Sequence, residues 1–140
     1  MPDTLSSGHP TTLFTLSERA MSAQLVRMNA ATSNLANAGS VASSAEQAYR
    51  PIRAVFTAEL DRASGLTNVS SGALVRSEVD PTKRYDPGHP LADEDGFVFE
   101  AGVDESAEMV EIMESARQYQ NMVQALQTAK QLMLDTLRSD

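Results

Sequence analysis

The chain has 140 residues and carries 11 basic against 19 acidic side chains, a formal charge of −8. It contains no cysteine, which excludes disulfides, thiolate nucleophiles and cysteine-ligated metal sites. The acidic balance argues against nucleic-acid binding, and no apolar run approaches the roughly 20 residues that span a bilayer or the ~7 to 15 of a signal-peptide core.

The N-terminal part of the chain predicts a polar lead followed by a long helix. Residues 1–11 are rich in Ser, Thr, Pro and Gly and have no periodic apolar pattern. A helix is predicted over about residues 12–38, with Gly39 as a left-handed residue at its end. Its second half replaces large side chains by Ala and Asn, which lets another helix approach closely. The apolar stripe of this helix consists of Phe14, Met21, Leu25, Met28 and Leu35.

The middle region, residues 41–102, has the pattern of strands and loops. Alternating apolar residues over 52–60 predict a half-buried strand. A turn-prone stretch over 61–68 separates it from a second short strand at about 73–79, which predicts a hairpin-like unit. Residues 85–98 contain two prolines and two glycines and predict an ordered loop of consecutive turns.

The C-terminal part has the most regular pattern, a heptad-like seam that predicts a helix over about residues 104–138. Asp104 is the predicted N-cap, and the acidic residues of the first turns suit the positive end of the helix dipole. The seam consists of Met109, Ile112, Ala116, Tyr119, Val123, Leu126, Lys130, Met133 and Leu137.

Together these patterns predict an α+β fold in which long N- and C-terminal helices pair as a coiled coil around a small β-hairpin-like middle region. The predicted division is a lead at 1–11, a helical coiled-coil core at 12–40 and 103–140, and a β and loop region at 41–102. The last helix would be about 52 Å long, whereas a compact chain of this length is roughly 37 Å across. The helix would therefore extend beyond its own domain, which predicts a subunit of an assembly.

Three polar residues interrupt the apolar pattern of the two helices: Lys130 on the seam of the last helix, and Asn34 and Asn37 in the Ala-rich half of the first. A polar residue in such a stripe can fix the register of pairing at some cost in stability. It can equally rotate to solvent, and the sequence leaves both readings open. The candidate assembly interface comprises the two stripes and these three residues.

No pattern for catalysis or metal binding stands out. His9 and His89 lie far apart, and neither has a second His or Cys at ligand spacing. Residues 91–96 resemble half of a calcium loop, but Leu91 occupies the first ligand position and Gly102 stands where the bidentate Glu belongs. Nucleophile-elbow, phosphate-loop and zinc-helix motifs are missing from the sequence. We therefore expect no enzymatic activity, no cofactor and no metal.

Four segments resemble flagellar axial proteins, in that family's order and size. The end of the first helix resembles their N-terminal signature, and the following strand resembles that of rod proteins. The Pro/Gly loop and the last helix resemble those of a proximal-rod protein. In this sequence the segments read RMNAATSNLANAGS (27–40), YRPIRAVF (49–56), YDPGHPLADEDGFV (85–98) and MVEIMESARQYQNMVQALQTAKQLMLDTL (109–137).

The resemblance implies a structural subunit of the proximal rod in the bacterial flagellum basal body. It implies export from the cytoplasm by the flagellar type III apparatus without a cleaved signal peptide, and helical assembly in the periplasmic space to transmit torque. The implied partners are other copies of the chain, other flagellar rod proteins, rod–ring junction proteins and the export apparatus.

A second hypothesis comes from another class of protein. A soluble helical adaptor or export chaperone could bind partner helices through the same seam. Such a protein would be folded and dimeric when alone, whereas a rod subunit would be monomeric.

Overall fold

The computed structural model describes residues 9–61, 66–69 and 72–139. Two long helices stand at the two ends of this part of the chain, with short antiparallel strands between them. Helix α1 spans His9–Ala36 and helix α2 spans Glu105–Arg138. The two helices pack against each other. The predicted α+β fold class, with two long terminal helices and a small β region, is confirmed.

Helix α1 begins at His9, earlier than the predicted start at residue 12. Pro10 lies in the first turn, where its missing N–H costs no helical hydrogen bond. Residues 9–11, which were predicted to belong to the polar lead, are therefore helical, and the rest of that lead lies outside the described residues.

The end of α1 differs from the prediction at Gly39. The helix ends at Ala36, and its last carbonyls are closed by turns in which Asn37 N donates to Ser33 O and Ala38 N donates to Leu35 O, each at 3.2 Å. Among the described residues only Gly96 has a positive φ, of 83°. The prediction of a left-handed Gly39 was wrong, because tighter backbone turns satisfy the helix end.

The predicted hairpin-like pairing is present. Strand β2, Ile52–Val55, pairs antiparallel with β5, Ala73–Arg76, with Ile52 opposite Arg76. The predicted strand over 52–60 is, however, interrupted at 56–57.

A further pair of strands lies where a turn was predicted. Strand β3, Ala58–Asp61, pairs antiparallel with β4, Leu66–Val69. The turn predicted over 61–68 is therefore strand at Asp61 and at 66–68, and its central residues 62–65 lie outside the described residues. The β-branched Thr67 and Val69 favour a strand, and this preference outweighs the turn signals around them.

A three-stranded antiparallel sheet frames the Pro/Gly loop and was not predicted. Its strands are β1, Val41–Ala42, β6, Thr82–Tyr85, and β7, Phe97–Glu100, in the order β1-β7-β6. Strand β6 is exposed along its whole length. It therefore lacks the apolar alternation by which a half-buried strand is recognised in a sequence.

The buried core of the monomer is thin. Apart from Val98 and Pro51, the buried apolar side chains among the described residues are alanines: Ala23, Ala30, Ala31, Ala48 and Ala101. Alanine buries little apolar area, and the stabilisation from burial scales with that area. The core therefore consists mainly of small side chains, which allow neighbouring segments of backbone to approach α1 closely.

The last turns of α2 extend past α1. The ion pair between Arg27 and Glu111, with Nη2 2.7 Å from Oε1, sets the C-terminal part of α1 beside the first turns of α2. The helices therefore run antiparallel. Every residue from 130 to 139 is exposed. We call residues 130–138 the overhang.

Candidate assembly surface

The face of α2 that packs most deeply is shifted from the predicted seam. Glu108 and Ser115 are its two buried residues, with 1% and 0% of their surfaces exposed. They are seven residues apart, which is the spacing of the predicted heptad. Each lies one position before a predicted seam residue, Met109 and Ala116. The predicted seam therefore borders the deepest contact line instead of forming it.

Most of the predicted interface residues are half-buried in the monomer, and four apolar ones are exposed. The exposed four are Leu25 at 38%, Met109 at 54%, Met133 at 39% and Leu137 at 73%. Lys130 is exposed as well. The half-buried residues are Phe14, Met21, Met28, Leu35, Asn37, Ile112, Ala116, Tyr119, Val123 and Leu126.

Asn34 is fully buried and ties helix α1 to strand β2. Its Nδ2 donates to Ile52 O at 2.9 Å, while its Oδ1 accepts from Ile52 N at 2.7 Å. The same Oδ1 accepts from the Tyr49 hydroxyl at 2.8 Å. We call this arrangement the Asn34 clamp. It fixes the position of the strand on the helix, so Asn34 acts within the monomer and not as a register residue between helices.

The other two polar residues of the candidate interface have different surroundings. Asn37 is half-buried and donates from Nδ2 to Ser33 O at 2.8 Å, a local bond at the helix end. Lys130 is exposed to solvent at the start of the overhang. Neither residue pairs with the opposite helix within the described part of the monomer.

A polar pocket lies where α1, β2 and α2 meet. Its volume is about 270 Å³, and we call it the junction pocket. Arg27 Nε donates to Glu111 Oε1 at 2.8 Å, and Arg53 Nη1 lies 2.6 Å from Glu108 Oε1. Two ion pairs therefore hold the start of α2 against α1 and β2. The pocket is lined by Arg27, Ala30, Ala31, Ile52, Arg53, Ala54, Ala107, Glu108 and Glu111.

The overhang presents apolar side chains that the described part of the monomer does not cover. Leu132, Leu134 and Leu137 are 62%, 40% and 73% exposed. Leu132, Met133, Thr136 and Leu137 line a shallow hollow of about 330 Å³. An uncovered apolar face of this kind is typical of an interaction surface.

Sequence reasoning missed Glu108, Ser115 and Tyr49. The first two are polar, so a search for apolar periodicity does not count them. Two features of the sequence could have pointed to them: their seven-residue spacing, and the alanines of α1, which allow another helix to approach closely. No sequence pattern points to Tyr49, because its role depends on the fold that brings it to Asn34.

The described residues show no group of three or more potential ligands that could hold a metal ion. Within the same residues, neither helix combines the length and apolar character of a membrane span.

Comparison with known proteins gives matches along most of the chain. A family model described as the flagellar basal body rod FlgEFG protein C-terminal region matches residues 94–139. The flagellar basal-body rod protein FlgC of Salmonella typhimurium is 38% identical over 125 residues, which cover 89% of this chain and 93% of that protein. FlgC of Yersinia enterocolitica is 36% identical with the same coverage. FlgC of Agrobacterium fabrum is 31% identical over 115 residues, covering 81% of this chain and 83% of the relative.

Proposed function

Because the chain belongs to the FlgC family of flagellar basal-body rod proteins and is a structural subunit of the rod, we propose that it assembles through the overhang of α2. The main support for this proposal is that residues 130–139 are all exposed, although several of them have large apolar side chains. A neighbouring subunit would cover this surface and supply burial that the thin monomer core lacks.

The 16 predicted interface residues divide into two roles in this proposal. The half-buried ones hold α1 and α2 together, and the exposed ones form contacts between subunits. The strands of the middle region would lie beside the helices and contact adjacent subunits. The relatives are structural rod proteins, so we also propose that the chain has no catalytic activity of its own.

The export route and the assembly partners that we propose are those expected for the family. We propose export from the cytoplasm by the flagellar type III apparatus without a cleaved signal peptide, and assembly in the periplasmic space. The partners would be copies of the same chain, other rod proteins and the rod–ring junction. Paired helices with large buried area would resist the shear of torque transmission. The names of the relatives favour this role over that of a soluble adaptor or export chaperone.

Substitution of Leu137 by Asp tests the proposal. Leu137 is 73% exposed, so Leu137→Asp leaves the monomer intact but places a charge in the proposed contact. In a strain that lacks the native gene, we expect the variant to be produced normally and motility to be lost.

Thr128→Asp is the matched control. Thr128 is exposed and lies nine residues earlier, on the opposite face of α2. We expect it to support motility. Normal motility of the Leu137→Asp strain would contradict assembly through the overhang.

A further inference from the structure

An exposed row of residues runs along the outer face of α1. Its members recur at spacings of three and four residues, so they share one face of the helix. Arg27 is the single charged residue between positions 20 and 38 of the sequence, and it pairs with Glu111. Beyond Glu18 at its start, the row is therefore uncharged, and Leu25 is its one large apolar side chain. We call it the α1 outer row, and it consists of Glu18, Ser22, Leu25, Asn29, Thr32 and Ala36.

The first half of α2 presents an exposed apolar patch. Met109, Val110 and Met113 are 54%, 53% and 62% exposed although their side chains are large and apolar. Arg117 follows one turn after Met113 and is exposed as well. Uncovered apolar groups that lie together are typical of a contact surface, and methionine adapts well to an uneven opposite surface. We call these four residues the α2 outer patch.

The α1 outer row and the α2 outer patch lie at the same level of the helix pair and on opposite sides of it. Arg27 and Glu111 face each other, with 2.7 Å between Nη2 and Oε1. Leu25 and Met113 each lie two residues from this ion pair, which is a rotation of about 200° and a rise of about 3 Å. Both side chains therefore point away from the contact between the helices. Because α1 and α2 run antiparallel, both rises go in the same direction.

The two surfaces carry opposite charges at matching positions. Glu18 lies about 13.5 Å along the helix axis from Arg27, and Arg117 lies about 9 Å from Glu111 in the same direction. The difference in level is about 4.5 Å, which a long arginine side chain can bridge. Glu18 and Arg117 are both exposed, and neither takes part in an ion pair among the described residues.

We propose that copies of the chain pack side by side, with the α2 outer patch of one copy seated on the α1 outer row of the next. The large side chains of the patch then cover the small side chains of the row. Met113 lies against Leu25, and Arg117 pairs with Glu18. Because the two surfaces lie on opposite sides of the monomer, the contact is heterologous and repeats from copy to copy. It presupposes the proposed rod assembly and is separate from the contact of the overhang.

Exchange of the two charges tests the pairing. Both residues are exposed, so we expect Glu18→Arg and Arg117→Glu each to leave the monomer folded. We expect each to reduce the number of assembled rods about tenfold, because like charges then face each other across the contact. The double variant restores opposite charges, and we expect it to restore motility. Since Glu18 and Arg117 lie on opposite sides of one molecule, such a rescue arises between copies.

Arg19→Glu is the matched control. Arg19 is exposed but lies about 100° away from Glu18 around α1, so the single variant should support motility. Combined with Glu18→Arg it restores the net charge of the chain without restoring the pair, and we expect motility to stay low. Full motility of this combination would overturn the side-by-side contact. Failure of the exchange of Glu18 and Arg117 to restore motility would overturn it as well, since the partner of Arg117 would then not be a copy.

Engineered cysteines test the geometry in the full chain, which has none of its own. Axes of packed helices lie about 9 Å apart, which places the outward Cα atoms of Leu25 and Met113 in one molecule about 14 Å apart. A disulfide needs Cα atoms within about 7 Å. We therefore expect Leu25→Cys with Met113→Cys to link copies in oxidised basal bodies of motile cells.

The control pair is Leu25→Cys with Gln118→Cys. Gln118 is exposed but lies about 140° away from Met113 around α2, so we expect about fivefold less cross-linked product. Equal cross-linking of the two pairs would overturn the side-by-side contact while leaving assembly through the overhang in place. Basal bodies that lack the chain altogether would instead contradict the proposed function.

Discussion

At the scale of single residues, buried polar groups specify this fold more than large apolar ones do. The Asn34 clamp satisfies both backbone groups of Ile52 and the Tyr49 hydroxyl with one amide side chain. The motif that contains Asn34 was recognisable from the sequence, but its role was not. Asn34 lies in the Ala-rich half of α1, and only the path of the chain after Gly39 brings residues 49 and 52 to it.

The Asn34 clamp leads to a prediction about stability. Asn34→Ala removes its three hydrogen bonds and leaves buried backbone groups unpaired, so we expect the free energy of unfolding to fall by about 3 kcal/mol. Asn37→Ala removes one local bond to Ser33 O, and we expect a loss below about 1 kcal/mol. Urea denaturation of both variants measures the difference. Equal losses would show that the clamp does not hold β2 on α1.

At the scale of elements, α2 consists of two parts with different surroundings. Its first part packs against α1 and contains the two buried residues Glu108 and Ser115, and its last turns form the overhang. The sequence predicted the length of this helix and its N-cap: Asp104 Oδ1 accepts from Ala107 N at 3.2 Å. The predicted seam lies one residue away from the most buried positions of α2. Those positions are Glu108 and Ser115, and a search for apolar periodicity does not detect a carboxylate or a hydroxyl.

The same substitution at two positions of α2 distinguishes its two parts. Leu126 is half-buried, so Leu126→Asp places a charge in a partly buried position of α2, and we expect a loss of about 2 kcal/mol in the free energy of unfolding of the monomer. Leu137→Asp lies on the overhang, and we expect a change within about 0.5 kcal/mol. We expect both variants to block rod assembly. A loss at Leu137 as large as that at Leu126 would show that the monomer itself covers the overhang.

At the scale of the whole molecule, the monomer combines a core of few large side chains with an exposed end of α2, the surface that we propose a neighbour covers. Length arithmetic predicted the overhang, because a helix of 34 residues is about 51 Å long. The fold class also followed from the sequence, since two long amphipathic patterns flank a region of short apolar runs. The sheet β1-β7-β6 could not be predicted from the sequence. Strand β6 is polar and exposed, and the sheet pairs strands that are distant in sequence.

The structure of the rod in isolated basal bodies tests the central claim most directly. Electron cryomicroscopy at side-chain resolution would show whether residues 130–138 of each copy are covered. We predict that Leu132 and Leu137, now 62% and 73% exposed, are buried against a neighbouring subunit. An overhang that remains in solvent in the assembled rod would contradict assembly through α2.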